Sequence, residues 1–152
     1  MIKKKNKAGI DKRFAKTKEY ANVLENIINT EKCPFCPANF KYHKKPILKT
    51  HQGWLVTENS WPYKNTEYHF LYIPEKHIEH IIDLTQQDLK TVKHLVDWTT
   101  EKYKIKGGGL TIRFGEQTYT GATVLHLHFH LIVPKLKKDE NNSAHTINFP
   151  IG

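Results

Sequence analysis

Cysteine is scarce in this chain, with two among 152 residues, Cys33 and Cys36. A disulfide-dense secreted scaffold is therefore excluded. No apolar run approaches the roughly 18–20 residues that span a bilayer. The N-terminal lysines have no apolar segment behind them, so no secretory signal is expected and the cytoplasm is the expected compartment. Gly and Pro, at 8 and 7, are too few for a collagen-like or wholly disordered chain. Acidic residues are the other minority: 15 Asp and Glu stand against 24 Lys and Arg, for a net charge of +9. Most of that excess is local. Residues 1–20 hold eight cations and two acids, or +6, and the other 132 residues hold +3. Such a block steers anionic partners, and a solvated basic tail with one polar helix face accounts for it equally.

What remains is enough hydrophobic residue, 38%, to build one core of ordinary size. Residues 1–10 read as a basic flexible tail. Asp11 is placed to cap a helix running to about residue 30, with Phe14, Tyr20, Val23, Leu24, Ile27 and Ile28 on its apolar side. Residues 33–46 hold three prolines without a period and read as loop. Segments 47–50 and 54–57 flank His-Gln-Gly and read as a hairpin. A strand is expected over 69–73, stopped by Pro74. Thr85 with Asp88 resembles a capping box opening a helix to about residue 104, with Leu89, Val92, Val96 and Tyr103 at helical spacing. Gly107-Gly108-Gly109 ends it. Strands are expected at 110–114 and 123–133, and residues 135–152 form a polar tail. No repeat or linker divides the chain, so the expected class is α+β in one domain over 11–134.

The most informative segment is Val124-Leu-His-Leu-His-Phe-His-Leu-Ile132. Side chains on a strand alternate faces. Leu125, Leu127, Phe129, Leu131 and Val133 then share a core face, while His126, His128 and His130 share the other. Three imidazoles in a row repel if charged and are costly if buried unpaired. A metal or a polyanionic ligand removes both difficulties. Cys33-Pro-Phe-Cys36 follows a helix and sits in a Pro-rich loop, which is poor context for a redox pair and reasonable context for half a zinc site. With no other cysteine, the remaining ligands must be histidines or carboxylates, and ten histidines are available.

The pattern from His126 to Ile132, preceded by Gly121-Ala-Thr-Val124, resembles the signature of the histidine triad superfamily. Three further stretches carry the same resemblance: Cys33-Pro-Phe-Cys36, Asn59-Ser-Trp-Pro62-Tyr63, and His69-Phe-Leu-Tyr-Ile-Pro-Glu-Lys-His77-Ile. The resemblance implies an antiparallel half-barrel sheet with two main helices, a homodimer, and nucleotide hydrolase or nucleotidyl transferase chemistry. It makes the middle histidine, His128, the nucleophile and places His130 and Thr123 beside it as catalytic groups. Asn59, Arg113 and Gly121 join these three in binding nucleotide, expected to be a purine. Arg113 stands in the segment Arg113-Phe-Gly115, where the family has Asn-x-Gly. Ala122 replaces a glutamine common in the family. Histidine rather than glutamine at position 130 leans toward hydrolase. The zinc-bearing branch uses ligands matching Cys33, Cys36, His77 and His126, with His80 as the competing position. The remaining histidines, His69 among them, are read as ordinary.

The resulting expectation is a zinc-containing phosphohydrolase. It would act at the α-phosphate of a dinucleoside polyphosphate or nucleoside phosphoramidate through a nucleotidyl-histidine intermediate. A nucleotidyl transferase or phosphorylase differs only in the acceptor. A nucleic-acid end-processing or binding protein, or a zinc-stabilised binding protein without turnover, are the rivals from other classes. The basic N-terminus would give weak, salt-sensitive nucleic-acid binding.

Overall fold

A computed structural model describes residues 8–152. The helices are α1 (Lys18–Ile28), α2 (Gln86–Lys102) and the single turn α3 (Gln117–Thr120). The strands are β1 (Ile47–His51), β2 (Trp54–Glu58), β3 (Thr66–Pro74), β4 (Gly109–Arg113) and β5 (His128–Pro134). All five strands form one antiparallel sheet in the order β1-β2-β3-β5-β4. The strand that comes last in sequence is thus inserted between β3 and β4. Its position suits its composition, because a strand buried on both faces is typical of a sheet interior. The expected α+β class in a single domain holds.

The two faces divide the core. On one face Trp54, Val56, Phe70, Tyr72, Phe129 and Leu131 pack with Val92 and Leu95 of α2. The α2 N-terminus is fixed there by a full capping box: Thr85 Oγ1 accepts from Asp88 N–H, and the Asp88 carboxylate accepts from Thr85 N–H at 2.8 Å. The indole of Trp54 donates to the same carboxylate at 2.9 Å, tying the cap to β2. On the other face Leu55, Leu71 and Ile73 meet Phe35 and Phe40 of the cysteine loop. Beside them Ala8, Ile10, Leu24 and Ile27 form a smaller cluster that seats α1.

Several elements depart from the sequence reading. Asp11 does not open α1. It caps the 3-10 turn Lys12–Phe14, Ala15 is extended, and Thr17 caps α1 by accepting from Tyr20 N–H at 3.0 Å. The cause is long-range: Ile10 bridges Val124, and Asp11 N–H donates to Thr123 O at 2.9 Å, so the chain is held extended up to residue 11. For the same reason Ala8, Gly9 and Ile10 are not tail. Gly9 O accepts from Leu125 N–H at 2.7 Å, and Ala8 and Ile10 are buried. Residues 1–7 of the expected tail lie outside the described residues. β5 begins at His128 rather than 123, because Leu127 N–H is taken by Ile78 O at 2.7 Å instead of a strand neighbour. Leu89 is 51% exposed, since the buried stripe of α2 runs through Thr91, Val92, Leu95 and Thr99. The loop 33–46 contains the 3-10 helix Pro37–Tyr42. No helix of the described residues is long and apolar enough to cross a membrane.

Candidate functional site

β5 carries its histidines on the face away from α2, as its alternation requires. Register sets their neighbours. Leu71 on β3 and Thr111 on β4 lie opposite His130, and Arg113 lies opposite His128. Facing residues of an antiparallel pair share a face, so Arg113 rises beside the middle histidine.

The first histidine turns away from the other two. His126 Nδ1 lies 3.3 Å from Cys33 Sγ and 3.8 Å from Cys36 Sγ, while its Nε2–H donates to Pro74 O at 2.8 Å. His77 Nδ1 lies 3.5 Å from Cys36 Sγ, and its Nε2 is 3.2 Å from Glu79 Oε1. One ligand atom from each of Cys33, Cys36, His77 and His126 lies within 4.8 Å of the others. Zinc–sulfur and zinc–nitrogen bonds of about 2.3 and 2.0–2.1 Å at a tetrahedral angle put sulfur and nitrogen about 3.5 Å apart. The observed separations fit such an ion. Both imidazoles have the far nitrogen held by an oxygen, the usual outer support for a metal-bound histidine. Burial, helped by the neighbouring Cys36, pushes the Cys33 thiol up to about 12, so thiolates here call for a cation between them. His80, the competing ligand, is exposed and outside the cluster.

His128 is fixed in one tautomer. Its Nδ1 is 2.6 Å from His126 O, an obligate acceptor, so Nδ1 carries the proton and Nε2 keeps its lone pair. Burial, opposed by this hydrogen bond and helped by the Arg113 charge, lowers its pKa to about 4. The ring is therefore neutral at pH 7 and nucleophilic at Nε2. Phe35 stands edge-on to it, with ring centroids 5.0 Å apart.

A second chain of hydrogen bonds sets His130, and it includes a residue the sequence reading passed over. The backbone N–H of Tyr63 donates to His69 Nδ1 at 3.3 Å. His69, held down to about 3 by burial and then by the Lys16 charge, is neutral, so its Nε2 carries the proton. That Nε2–H points to His130 Nδ1 at 2.9 Å. His130, neutral by the same effects, then carries its own proton on Nε2. This Nε2 is buried and has no hydrogen-bond partner among the described residues. An orphan donor beside a neutral imidazole is suited to an oxygen that comes from outside. The signal for His69 was present in the period-two alternation of β3, which puts 69 and 71 on the triad face.

The residues named from sequence are brought together. His128, His130, Thr123, Asn59, Arg113 and Gly121 all line one cavity of about 220 Å³. Thr123 Oγ1 is 2.8 Å from the Tyr20 hydroxyl. The amide of Asn59 is turned inward: Oδ1 accepts from Trp61 N–H at 2.9 Å, and Nδ2 lies 3.2–3.3 Å from both ring nitrogens of His69. Gly121 closes α3 with φ +64°, and a Cβ there would stand 2.6 Å from Gly152 O. Arg113 donates from Nε and Nη2 to Pro150 O at 2.8 and 2.6 Å, and its guanidinium lies 3.9 Å from the Phe149 ring centroid. The expected polar tail thus packs onto the site, with Phe149 edge-on to His130. Lys16 was also unforeseen; its ammonium lies 3.3 Å from the centroid of Tyr63 on the cavity wall. A larger groove of about 1010 Å³ beside 104–109 and 135–138 holds no triad residue, so the smaller cavity is where the chemistry converges.

Residues 32–146 match the family described as "Scavenger mRNA decapping enzyme C-term binding". The chain belongs to this family. Its fold is that of the histidine triad proteins, as the resemblance in sequence implied. A histidine triad protein from Clostridium difficile, 23% identical, superposes with a TM-score of 0.53 over 71% of this chain and 96% of its own. A histidine triad family hydrolase from Clostridium thermocellum, 22% identical, gives 0.53 over 70% and 93%. A zinc-bound histidine triad family protein from Mycobacterium smegmatis, 20% identical, gives 0.52 over 73% and 79%. No curated protein matches this sequence. The family match begins after α1 and ends before Phe149, so Lys16, Tyr20, Phe149 and Pro150 are contributions of this chain from outside the matched segment.

Proposed function

We propose that the protein is a nucleotide phosphohydrolase working through a nucleotidyl-histidine intermediate. The observation that carries this reading is the pairing of a neutral His128, its Nε2 lone pair free, with the unpartnered Nε2–H of His130. In the first step His128 Nε2 forms a bond to the α-phosphorus, and the bond from phosphorus to the leaving group breaks. His130 Nε2–H donates to a non-bridging oxygen as charge builds there, and the Arg113 guanidinium lies alongside. The Nδ1–H bond to His126 O delocalises the positive charge that His128 acquires. Water then attacks phosphorus, releasing the nucleoside monophosphate and restoring the imidazole. Thr123 Oγ1, within reach of the same cavity, serves the leaving group, and the Gly121 backbone allows close approach of phosphate. Phe14, Tyr20, Phe35, Trp61 and Leu71 give the cavity an apolar side suited to a purine.

Cys33, Cys36, His77 and His126 hold zinc, which when bound braces the loop and strand ends and fixes His126 neutral. The four ligands close the site, so the hydrolytic water is activated elsewhere. A nucleotidyl transferase or phosphorylase would use the same intermediate with another acceptor. The protein acts in the cytoplasm as a homodimer, and its basic N-terminus adds weak nucleic-acid binding.

The test is a panel of dinucleoside polyphosphates and nucleoside phosphoramidates, with mass spectrometry for a nucleotidylated histidine. His128→Ala should abolish turnover and the adduct while leaving fold and zinc content intact. Turnover within tenfold of wild type in that variant would overturn the mechanism.

A further inference from the structure

The cavity at His128 holds two cations that a single α-phosphate does not require. Arg113 arrives from β4 beside the nucleophile, and Lys16 arrives from the turn preceding α1. Tyr63 is their common wall: its hydroxyl accepts from Arg113 Nη2 at 3.0 Å, and its ring face carries the Lys16 ammonium. No carboxylate lines the cavity among the described residues. Among the described residues neither cation has an acidic partner there: Arg113 bonds to Pro150 O and Tyr63 Oη, and Lys16 sits on the ring. Two like charges held near one another without a counter-ion are unfavourable in the free protein, and an anion placed between them relieves this. The α-phosphate already has its own donor in His130 Nε2–H.

Resting on the nucleotidyl-histidine reading, we propose that Lys16 and Arg113 form a two-cation clamp for a leaving group that carries its own phosphate charge. The substrate class is then a nucleoside linked through a polyphosphate, rather than a phosphoramidate whose leaving group is an amine. As the bond from the α-phosphorus breaks, the departing phosphate gains negative charge, and the clamp stabilises it where it develops. An amine leaving group gains no such charge and needs a proton instead. Burial and the Arg113 charge lower Lys16 to about 8, so it is charged at neutral pH and sensitive to the anion beside it. Lys16 lies outside the residues that match the family, so this preference belongs to the chain's own N-terminal segment.

The test compares diadenosine triphosphate with an adenosine phosphoramidate on the full-length zinc-loaded protein. The wild type should prefer the triphosphate in kcat/KM. Lys16→Ala should lower that preference ratio by roughly 100-fold, the lower end of the range for loss of one transition-state donor. Lys16→Arg should restore most of it, and Arg113→Gln should reproduce the loss. Calorimetric binding to the His128→Ala protein supplies a second arm that needs no turnover: diadenosine triphosphate should bind at least tenfold tighter than adenosine monophosphate, and Lys16→Ala should remove that margin. A ratio unchanged by Lys16→Ala, or equal binding of the two nucleotides, overturns the clamp. Loss of both turnover and the histidine adduct in wild type, with the binding margin intact, overturns the catalytic reading and leaves the clamp standing.

Discussion

At the scale of single residues, the site works by fixing protons. A carbonyl oxygen decides the tautomer of His128, and a backbone N–H decides that of His69 and, through it, of His130. His69 is therefore a positioning residue with a consequence for stability. It is buried and neutral, with its pKa lowered from 6.5 to about 3. Between those values the unfolded chain binds a proton that the folded chain does not, so stability rises with pH across that window. Its contribution is complete above about pH 6.5 and is lost as pH falls toward 3. Denaturant midpoints measured from pH 7 to pH 4 should fall, and His69→Gln should flatten the fall by about one proton's worth of slope. The same change should reduce kcat roughly tenfold or more, because glutamine holds His130 less firmly in its tautomer. An identical pH slope in the variant would remove His69 from this role. Residue by residue, the triad was legible because strand alternation is local. His69 was equally legible by alternation, yet one histidine on a strand carries no chemistry until its partner 61 residues away is known. Lys16, Phe149 and Pro150 had no local signal, since only the fold brings segments this far apart in sequence against Tyr63 and Arg113.

At the scale of elements, the cysteine loop joins the candidate metal ligands to the surroundings of His128. Cys33 and Cys36 bracket Phe35, whose ring packs on Leu55, Leu71 and Ile73 and stands against His128. Holding the two sulfurs therefore holds the wall beside His128. Cys36→Ser, His77→Ala and His126→Ala should each lower bound zinc, melting temperature and turnover together, whereas His80→Ala should change none of them. Metal analysis beside thermal melts distinguishes the cases, and zinc that survives His77→Ala but is lost in His80→Ala would reassign the ligand. The elements themselves were read well where the determinants are short-range. The capping box at Thr85 and the hairpin around 52–53 are examples. They were misread where tertiary pairing overrides a local signal. Asp11 is a good cap by type, but the bridge of Ile10 to Val124 keeps the chain extended one turn too long for it to open α1. Thr123 to Leu127 have strand composition, but Gly9 and Ile78 rather than a strand take their hydrogen bonds.

At the scale of the whole molecule, the sheet is open at both ends, and its β4 edge is lined by exposed apolar side chains. β1 and β4 are its two edge strands, and β4 leaves the outer backbone groups of Gly109–Arg113 without a strand partner among the described residues. Leu110 and Phe114 are each 48% exposed along it, and Leu89 on α2 is 51% exposed. Soluble proteins seldom leave such an edge open unless it is used. Two copies related by a two-fold axis can pair their β4 edges antiparallel, joining two five-stranded sheets and burying these leucines with parts of α2. A stable interface of this kind should bury roughly 1,200 Å² or more in total. Each chain carries +9, so the association should tighten as salt rises to moderate ionic strength. Light scattering at micromolar concentration should give twice the chain mass, and Leu110→Lys should shift it to the monomer by placing a charge at the centre of the paired edge. Arg113 lies on the same strand, so the monomeric variant should also lose activity if pairing steadies β4 beside His128. A monomer mass for the wild type would end the dimer proposal, and a dimer undisturbed by Leu110→Lys would move the interface away from β4.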